Sequence, residues 1–221
     1  MSPRPHRTVR VGVLADSHVG EYLERMPDWV PEALFGCDLI LHAGDLSVPS
    51  VLDDLALIAP VHAVRGDHDR ELDHLPESLV VTVRGWRIGM VHGSCTGIWD
   101  AATVARRTIL GHYDWQPRLE RELRHRMGAV DALVYGHWHF PRIATSGTTL
   151  MICPGAICPG GALAEGAPMP RTLHAPIDVL VRRFRHAMTP DGHRPAIAVL
   201  EVGSSGIHPR HVFAPAPPTT D

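Results

Sequence analysis

The chain has 221 residues, 44% of them hydrophobic and 20% charged, with a formal net charge of -3. That make-up suits an ordinary globular protein with room for one sizeable core, and its mild acidity with scattered basic residues gives no nucleic-acid surface. No apolar run reaches the roughly 18 residues of a membrane-spanning helix, and the basic N-terminus precedes too short an apolar stretch for a secretory leader, so no membrane partner is expected and the expected location is cytoplasmic.

Residues 1–7 are rich in Pro and Arg and read as frayed. Residues 8–15 (TVRVGVLA) form a short, β-branched, nearly continuous apolar run, which predicts a buried strand. It stops at Asp16-Ser17-His18. A helix is expected over 29–35, closed by Gly36. A second strand over 38–43 stops at Gly44-Asp45, and residues 49–58 carry Val51, Leu52, Leu55 and Ile58 at helical spacing. A third strand, 61–64, stops at Gly66-Asp67-His68-Asp69. Strand, helix, strand, helix, strand predicts a parallel sheet whose ligands gather beyond the carboxyl ends of the strands.

The pattern then changes. Strands are expected over 79–83 and 86–91, joined across Arg84-Gly85 and stopping at His92-Gly93. Residues 98–127 read as mostly helical, with a break at Gly111. A strand over 132–135 stops at Gly136-His137-Trp138-His139, and 142–145 with 148–153 read as a hairpin across Ser146-Gly147. Residues 154–176 are dense in Pro, Gly and Ala and predict a long loop. Closing strands are expected over 177–184 and 196–202. The boundaries are a single domain over 1–208 with an inserted region at 154–193, and a disordered tail over 209–221.

Histidine is over-used, with 16 copies; His6, His125, His186, His208 and His211 read as surface residues. The cysteines Cys37, Cys95, Cys153 and Cys158 make no CxxC pair, so neither a zinc ribbon nor a thioredoxin-type motif is supported. The polar residues at the strand ends are Asp16, His18, Asp45, Asp67, His92, His137 and His139. Three carboxylates and four imidazoles suit first-row divalent ions, with no thiolate preference. Seven ligands exceed what one ion takes and suit two ions sharing a carboxylate. Taken singly, each cluster has a bland reading: Gly-Asp after a strand is commonly a turn, and a lone His a hydrogen-bonding residue. Five of them in order, each at a strand end, point to a metal site.

With these clusters, and with Tyr135 through Arg142, Cys153-Pro154-Gly155-Ala156 and 194–201, the chain resembles the calcineurin-like metallophosphoesterases, in particular their small YfcE-type phosphodiesterase branch. The resemblance covers roughly 8–157 and 194–202. It implies an α/β fold, the four-layer α/β/β/α sandwich called the metallo-dependent phosphatase fold. It also implies two divalent transition-metal ions (Mn, Fe, Ni or Zn) and a small phosphorylated substrate, a diester or a monoester, attacked by a metal-bound hydroxide. Asp16, His18 and His139 would serve one ion, His92, His137 and Asp67 the other, and Asp45 would bridge. His68 would stand near the leaving group as proton donor or electrostatic stabiliser.

Two departures matter. Asp67 stands where the family carries Asn, so an anionic ligand replaces a neutral one that also offers an N–H donor. Two divalent ions against three ionised carboxylates leave a charge of only +1, which disfavours a dianionic monoester unless one ion is trivalent iron. The stretch 154–193, with Arg171, His174, Arg182, Arg183, Arg185 and His186, is longer than the family's and reads as a lid, an oligomer contact or an inert insertion. The segment 99–115, with Arg106 and Arg107, is a second candidate cap. Trp99, Tyr113, Trp115 and Trp138 lie in or near the clusters, where one could stack on a nucleobase of a nucleotide substrate; each also suits a core. The alternative to an enzyme is a phosphoesterase-fold protein-interaction scaffold, as in the retromer subunit of the same branch. The complete ligand set and His68 favour the enzyme.

Overall fold

The computed structural model describes residues 8–94, 116–158 and 194–216. The first half alternates strand and helix: β1 (Val9–Leu14), α1 (Trp29–Leu34), β2 (Leu39–His42), α2 (Ser50–Ala56) and β3 (Val61–Ala63). Both crossovers carry a helix, so β1, β2 and β3 pair in parallel. The second half contains β4 (Ser78–Val83), β5 (Trp86–Val91), α3 (Gln116–Met127), β6 (Ala132–Tyr135), β7 (Arg142–Ser146) and β8 (Thr149–Cys153). The chain then returns to the first sheet through β9 (Ala196–Gly203), antiparallel on β1, and β10 (Gly206–Phe213), antiparallel on β9. The two sheets have the orders β10-β9-β1-β2-β3 and β4-β5-β6-β8-β7.

Side-chain alternation along the strands builds the layers. Val11 and Val13 of β1 and Leu41 of β2 face Ile88, Met90, Val134 and Ile152 of the second sheet. Leu14 and Ile40 point the other way, onto Val30 and Leu34 of α1 and Val51 and Leu55 of α2. Beyond the second sheet, Leu119 and Leu123 of α3 cover Leu133, Tyr135 and Met151. The order helix, sheet, sheet, helix is the four-layer α/β/β/α sandwich expected. Gly12 of β1 is part of the reason α1 lies so close, because a Cβ there would strike the Leu34 side chain. Each fully buried aliphatic side chain contributes about 1.5–3 kcal/mol, so the three apolar interfaces hold the layers together.

β1, β2 and β3 run parallel and end at one edge of the first sheet; β5 and β6 do the same in the second. The loops leaving those ends meet. This juxtaposition positions the site, and the hydrophobic pattern dictates it.

The tail expected from residue 209 onward is corrected at its start. Residues 206–213 form β10, with Ile207 and Val212 packed on the core. Pro209 is tolerated there because β10 is an edge strand, where a missing N–H need not break a ladder. His211, expected at the surface, is half-buried and bonds the Cys153 carbonyl at 2.9 Å. Cys37, Cys153 and Cys158 are buried. The helix expected over 98–110, the strand over 177–184 and nearly all of the region 154–193 lie outside the described residues. Among the described residues no helix is long and apolar enough to cross a membrane.

Candidate metal centre

The loops after β1, β2 and β6 take an uncommon backbone. Asp16 (φ 53°), His18 (φ 47°), Asp45 (φ 58°), His137 (φ 75°) and His139 (φ 60°) all adopt left-handed conformations. Such a residue costs roughly 1–2 kcal/mol when it is not glycine, and Asp and His are among the types that tolerate it best. Only Ser47 and Arg84 share this feature among the other described non-glycine residues. Left-handed residues on either side of Ser17 let Asp16 and His18 reach one ligand group, and those on either side of Trp138 send His139 to that group and His137 to its neighbour. The strict alternation of a strand would separate them from the residue between but would not curl them onto a common point. The strain is held by neighbours: both carboxylate oxygens of Asp16 accept the backbone N–H of His137, at 2.9 and 3.0 Å.

The seven expected ligands come together as two groups with one carboxylate between them. Asp16, His18 and His139 offer ligand atoms within 4.8 Å of one another, and so do Asp67, His92 and His137. In the first group His18 Nε2 lies 3.3 Å from His139 Nε2, and His139 Nε2 lies 3.5 Å from Asp16 Oδ1. In the second, Asp67 Oδ2 lies 3.2 Å from His137 Nδ1 and 3.9 Å from His92 Nε2. Asp45 Oδ2 sits 3.6 Å from His18 Nε2 and 3.1 Å from His92 Nε2, touching one imidazole of each group. The other Asp45 oxygen accepts the backbone N–H of His68 at 2.9 Å. The first group is deeply buried, whereas the Asp67 side chain is 49% exposed. His68 stands on the first group's side, within reach of His18 and Asp45.

The electrostatics are those of a site built around cations. Burial pushes the Asp16 carboxyl up to about 8, against the pull of His92 and of the His137 N–H. Burial, and then the neighbouring His18, takes His139 down to about 3. His18 is likewise lowered by burial. Two imidazoles facing each other nitrogen to nitrogen beside a buried carboxyl can share only a single hydrogen bond between them. As ligands to one ion they are well matched. In the second group, burial would pull His92 down, but the bond to Asp45 and the charges of Asp16 and Asp45 outweigh it and raise it to about 9. Burial likewise opposes ionisation of Asp45, yet His92 holds that carboxyl well below the usual carboxylate range. The His137 bond, against burial, lowers Asp67. His92 donates its Nδ1–H to the Ala43 carbonyl at 2.8 Å and so turns Nε2 into the cluster, the arrangement usual for a metal-ligating histidine. The residues present therefore fit a pair of metal ions with O and N ligands.

Sequence reasoning missed several residues that shape this centre. Asp69 is 2% exposed and clamps two loops: Oδ2 accepts the N–H of Asp45 (2.9 Å) and of Gly66 (2.7 Å), and Oδ1 that of Ser47 (2.8 Å). Its signal was present, since an Asp three residues beyond a strand-end Gly commonly takes backbone N–H groups in a turn. Gly66 lies so close to Asp45 that a Cβ would collide with its carboxylate and amide nitrogen. His42 is buried, lowered to about 4 chiefly by burial, and places Nε2 2.5 Å from Ser17 Oγ, tying β2 to the loop after β1. Glu21, whose position no spacing signalled, touches the Nδ1 of both His18 and His68. Trp138 is half-buried with its ring edge-on to His137 at 5.2 Å; Trp99, Tyr113 and Trp115 lie outside the described residues.

Two packed five-stranded sheets between helices, with such a cluster where their strand ends meet, define a protein of the metallo-dependent phosphatase fold. The chain belongs to the calcineurin-like phosphoesterase superfamily, whose domain profile matches residues 9–168. It is 31% identical over 147 residues to a probable metallophosphoesterase of Methanothermobacter thermautotrophicus, covering 66% of this chain and 76% of that protein. Its fold is similar to that of Vps29 from Entamoeba histolytica, solved as a complex with Zn2+, with a TM-score of 0.59 at 20% identity over 93% of this chain and 99% of that one. It is similar too to an archaeal phosphodiesterase, with a TM-score of 0.56 at 15% identity over 93% of this chain and 100% of the other.

Proposed function

We propose that the chain is a dinuclear-metal-dependent phosphoesterase, a hydrolase of phosphodiesters or phosphomonoesters, carried by one domain that extends through β10. The observation that carries this reading is Asp45, whose single oxygen Oδ2 contacts an imidazole from each of two separate ligand groups. Asp16, His18 and His139 would hold one ion, Asp67, His92 and His137 the other, and Asp45 both. When bound, such ions supply Lewis acidity toward phosphoryl oxygens and lower the pKa of water. Mn, Fe, Ni or Zn suits the O and N donors.

The chain's own residues do the rest. Asp16, fixed by the His137 N–H, sets the spacing of the loops after β1 and β6. His68, at the mouth with its side chain 39% exposed, would give a proton to the leaving oxygen. Asp67 supplies charge to its ion and no N–H to the substrate, so a monoanionic diester is favoured over a dianionic monoester. One trivalent iron would offset that bias. Similarity in fold to Vps29 favours a second reading, a phosphoesterase fold kept as a protein-interaction scaffold. The complete ligand set and His68 favour turnover.

The test is metal analysis after loading with Mn, Ni, Fe or Zn, followed by hydrolysis of bis(p-nitrophenyl) phosphate and p-nitrophenyl phosphate. Two ions per chain and faster turnover of the diester are expected. Tight metal without turnover of any phosphoester would establish the scaffold instead.

A further inference from the structure

Glu21 is not a ligand, yet one of its oxygens is the meeting point of three donors. Oε2 lies 2.7 Å from His68 Nδ1, 3.2 Å from His18 Nδ1 and 3.2 Å from Ser47 Oγ. An ionised carboxylate only accepts hydrogen bonds. Both rings can satisfy it only with a proton on Nδ1. We propose that Glu21 is a positioning residue that holds His18 in the Nδ1–H tautomer and keeps the Nδ1–H of His68 on the same oxygen, so that the other nitrogen of His68, Nε2, is the one left to carry a proton toward the leaving group. The proposal deepens the phosphoesterase reading and rests on it for its catalytic consequence.

The local backbone is built for this. The His18 carbonyl accepts the N–H groups of Glu21, Tyr22 and Leu23 at 3.1, 2.9 and 3.3 Å, so the chain turns back on His18 at once. Gly20, at φ +87°, makes the turn possible. Glu21 is thereby carried over the ring it bonds, and the Ser47 hydroxyl from the loop after β2 steadies the carboxylate. The His68 ring stands edge-on to His18 at 4.7 Å between centroids, and the Tyr22 ring packs on His18 at 4.7 Å.

Two consequences follow. With Nδ1 committed to Glu21, the His18 lone pair is on Nε2, the atom facing His139 and Asp45. An outer carboxylate of this kind commonly changes metal affinity 10–100-fold, about the effect expected here. The same oxygen fixes the ring of His68, so one side chain couples a candidate ligand to the candidate proton donor.

The test uses the zinc-loaded full chain, Glu21→Ala and Glu21→Gln. Glutamine keeps an acceptor oxygen, so it serves as the conservative rescue. Nitrogen-15 shifts of the imidazoles are expected to show Nδ1–H on both His18 and His68 in the wild type and in Glu21→Gln, and mixed tautomers in Glu21→Ala. Zinc affinity should fall about 10–100-fold in Glu21→Ala and much less in Glu21→Gln. With aryl diesters, Glu21→Ala should lose most rate on the poorest leaving groups, as His68→Ala does, and the double variant should be no worse than either. A ring without a proton on Nδ1 at either position in the wild type, or unchanged shifts and zinc affinity in Glu21→Ala, overturns the proposal. A wild type with both Nδ1–H rings that binds zinc but hydrolyses nothing leaves the positioning role standing and removes the phosphoesterase reading.

Discussion

The two sheets bring different chemistry to the same edge. Loops of the first sheet carry every candidate carboxylate ligand, Asp16, Asp45 and Asp67, together with His18; loops of the second carry imidazoles alone, His92, His137 and His139. The first sheet's loops also bring His18, Asp45 and His68 together, but neither sheet completes either of the two groups that Asp45 joins. Asp16 and His18 need His139 from across the interface, and Asp67 needs His92 and His137. Carboxylates are thus gathered on one side and imidazoles face them from the other, and the full ligand set assembles only when the two sheets are packed face to face. A cation at each group would neutralise the first sheet and tie it to the second. Metal binding should therefore act on stability as well as on activity, because an ion that binds only the native state shifts the folding equilibrium toward it.

The largest effect expected is at the one residue that serves both groups. Asp45→Ala should lower kcat/KM by well over the roughly 100-fold that an outer partner costs, and metal content should fall toward none. His139→Ala takes a ligand from the second sheet and from one group only, so one ion per chain should remain. Metal analysis of the two variants side by side checks the division; equal loss in both would show that Asp45 is not shared.

Next in size is the clamp on the charged side. Asp69→Ala leaves the N–H groups of Asp45, Gly66 and Ser47 without their acceptor. At about 1–3 kcal/mol for a buried donor left unpaired, a loss of roughly 3 kcal/mol or more is expected in urea unfolding, with weaker metal binding. The counterpart on the second sheet is Glu120, buried on α3, which accepts from Tyr135 OH at 2.8 Å and Arg142 Nε at 2.7 Å. Glu120→Gln should lower stability and leave metal affinity within about twofold, since an ordinary change distant from a site adds independently. If both variants lower metal affinity equally, the first sheet has no special hold on the centre.

The strands were legible because short β-branched runs with abrupt polar stops have few other structures to adopt. The crossover order followed from the helices between them. The candidate ligands were legible because they are the stops. What the pattern hid depends on backbone conformation. Asp69 acts on three N–H groups that converge only through the left-handed turns at Asp45 and Ser47. Glu21 reaches two rings only because the chain doubles back at Gly20. β10 was masked by Pro209 and by the Pro-rich run after it, which read as a tail until its pairing with β9 supplied the context.

A smaller change is expected where the first sheet's charge is altered without loss of a ligand. Asp67→Asn keeps a carbonyl oxygen for the ion, removes one negative charge and adds an N–H donor. The ratio of monoester to diester turnover should rise, by about 3–10-fold if the new donor contributes one ordinary hydrogen bond of roughly 1 kcal/mol. An unchanged ratio would show that Asp67 does not set the substrate preference.

The last effect is a pH dependence of the metal-free protein, whose upper limb involves one group from each sheet. Asp16 rises from its ordinary 3.8 to about 8 on folding, so its contribution is complete below 3.8 and lost as pH climbs to about 8. His92 rises from 6.5 to about 9, so its contribution is lost between those values. His18, His42 and His139 move the other way; the unfolded chain takes up their protons below 6.5 while the folded one resists, so stability falls as pH drops from there toward about 4 and 3 for the latter two. Asp45, already held low, loses its contribution only when pH falls below 3.8. Between 3.8 and 6.5 three histidines outweigh Asp16, and above 6.5 Asp16 and His92 act together. Thermal unfolding in EDTA should therefore peak near pH 6.5 and fall by roughly 10 °C or more by pH 9, at roughly 2–4 °C for each kcal/mol in a domain of this size. With zinc the upper limb should flatten or reverse, because ligand deprotonation then accompanies binding. A metal-free protein that gains stability from pH 6.5 to 9 would mean that the first sheet's buried charge is already neutralised without a cation, and the electrostatic division between the sheets would not need the ions to hold it.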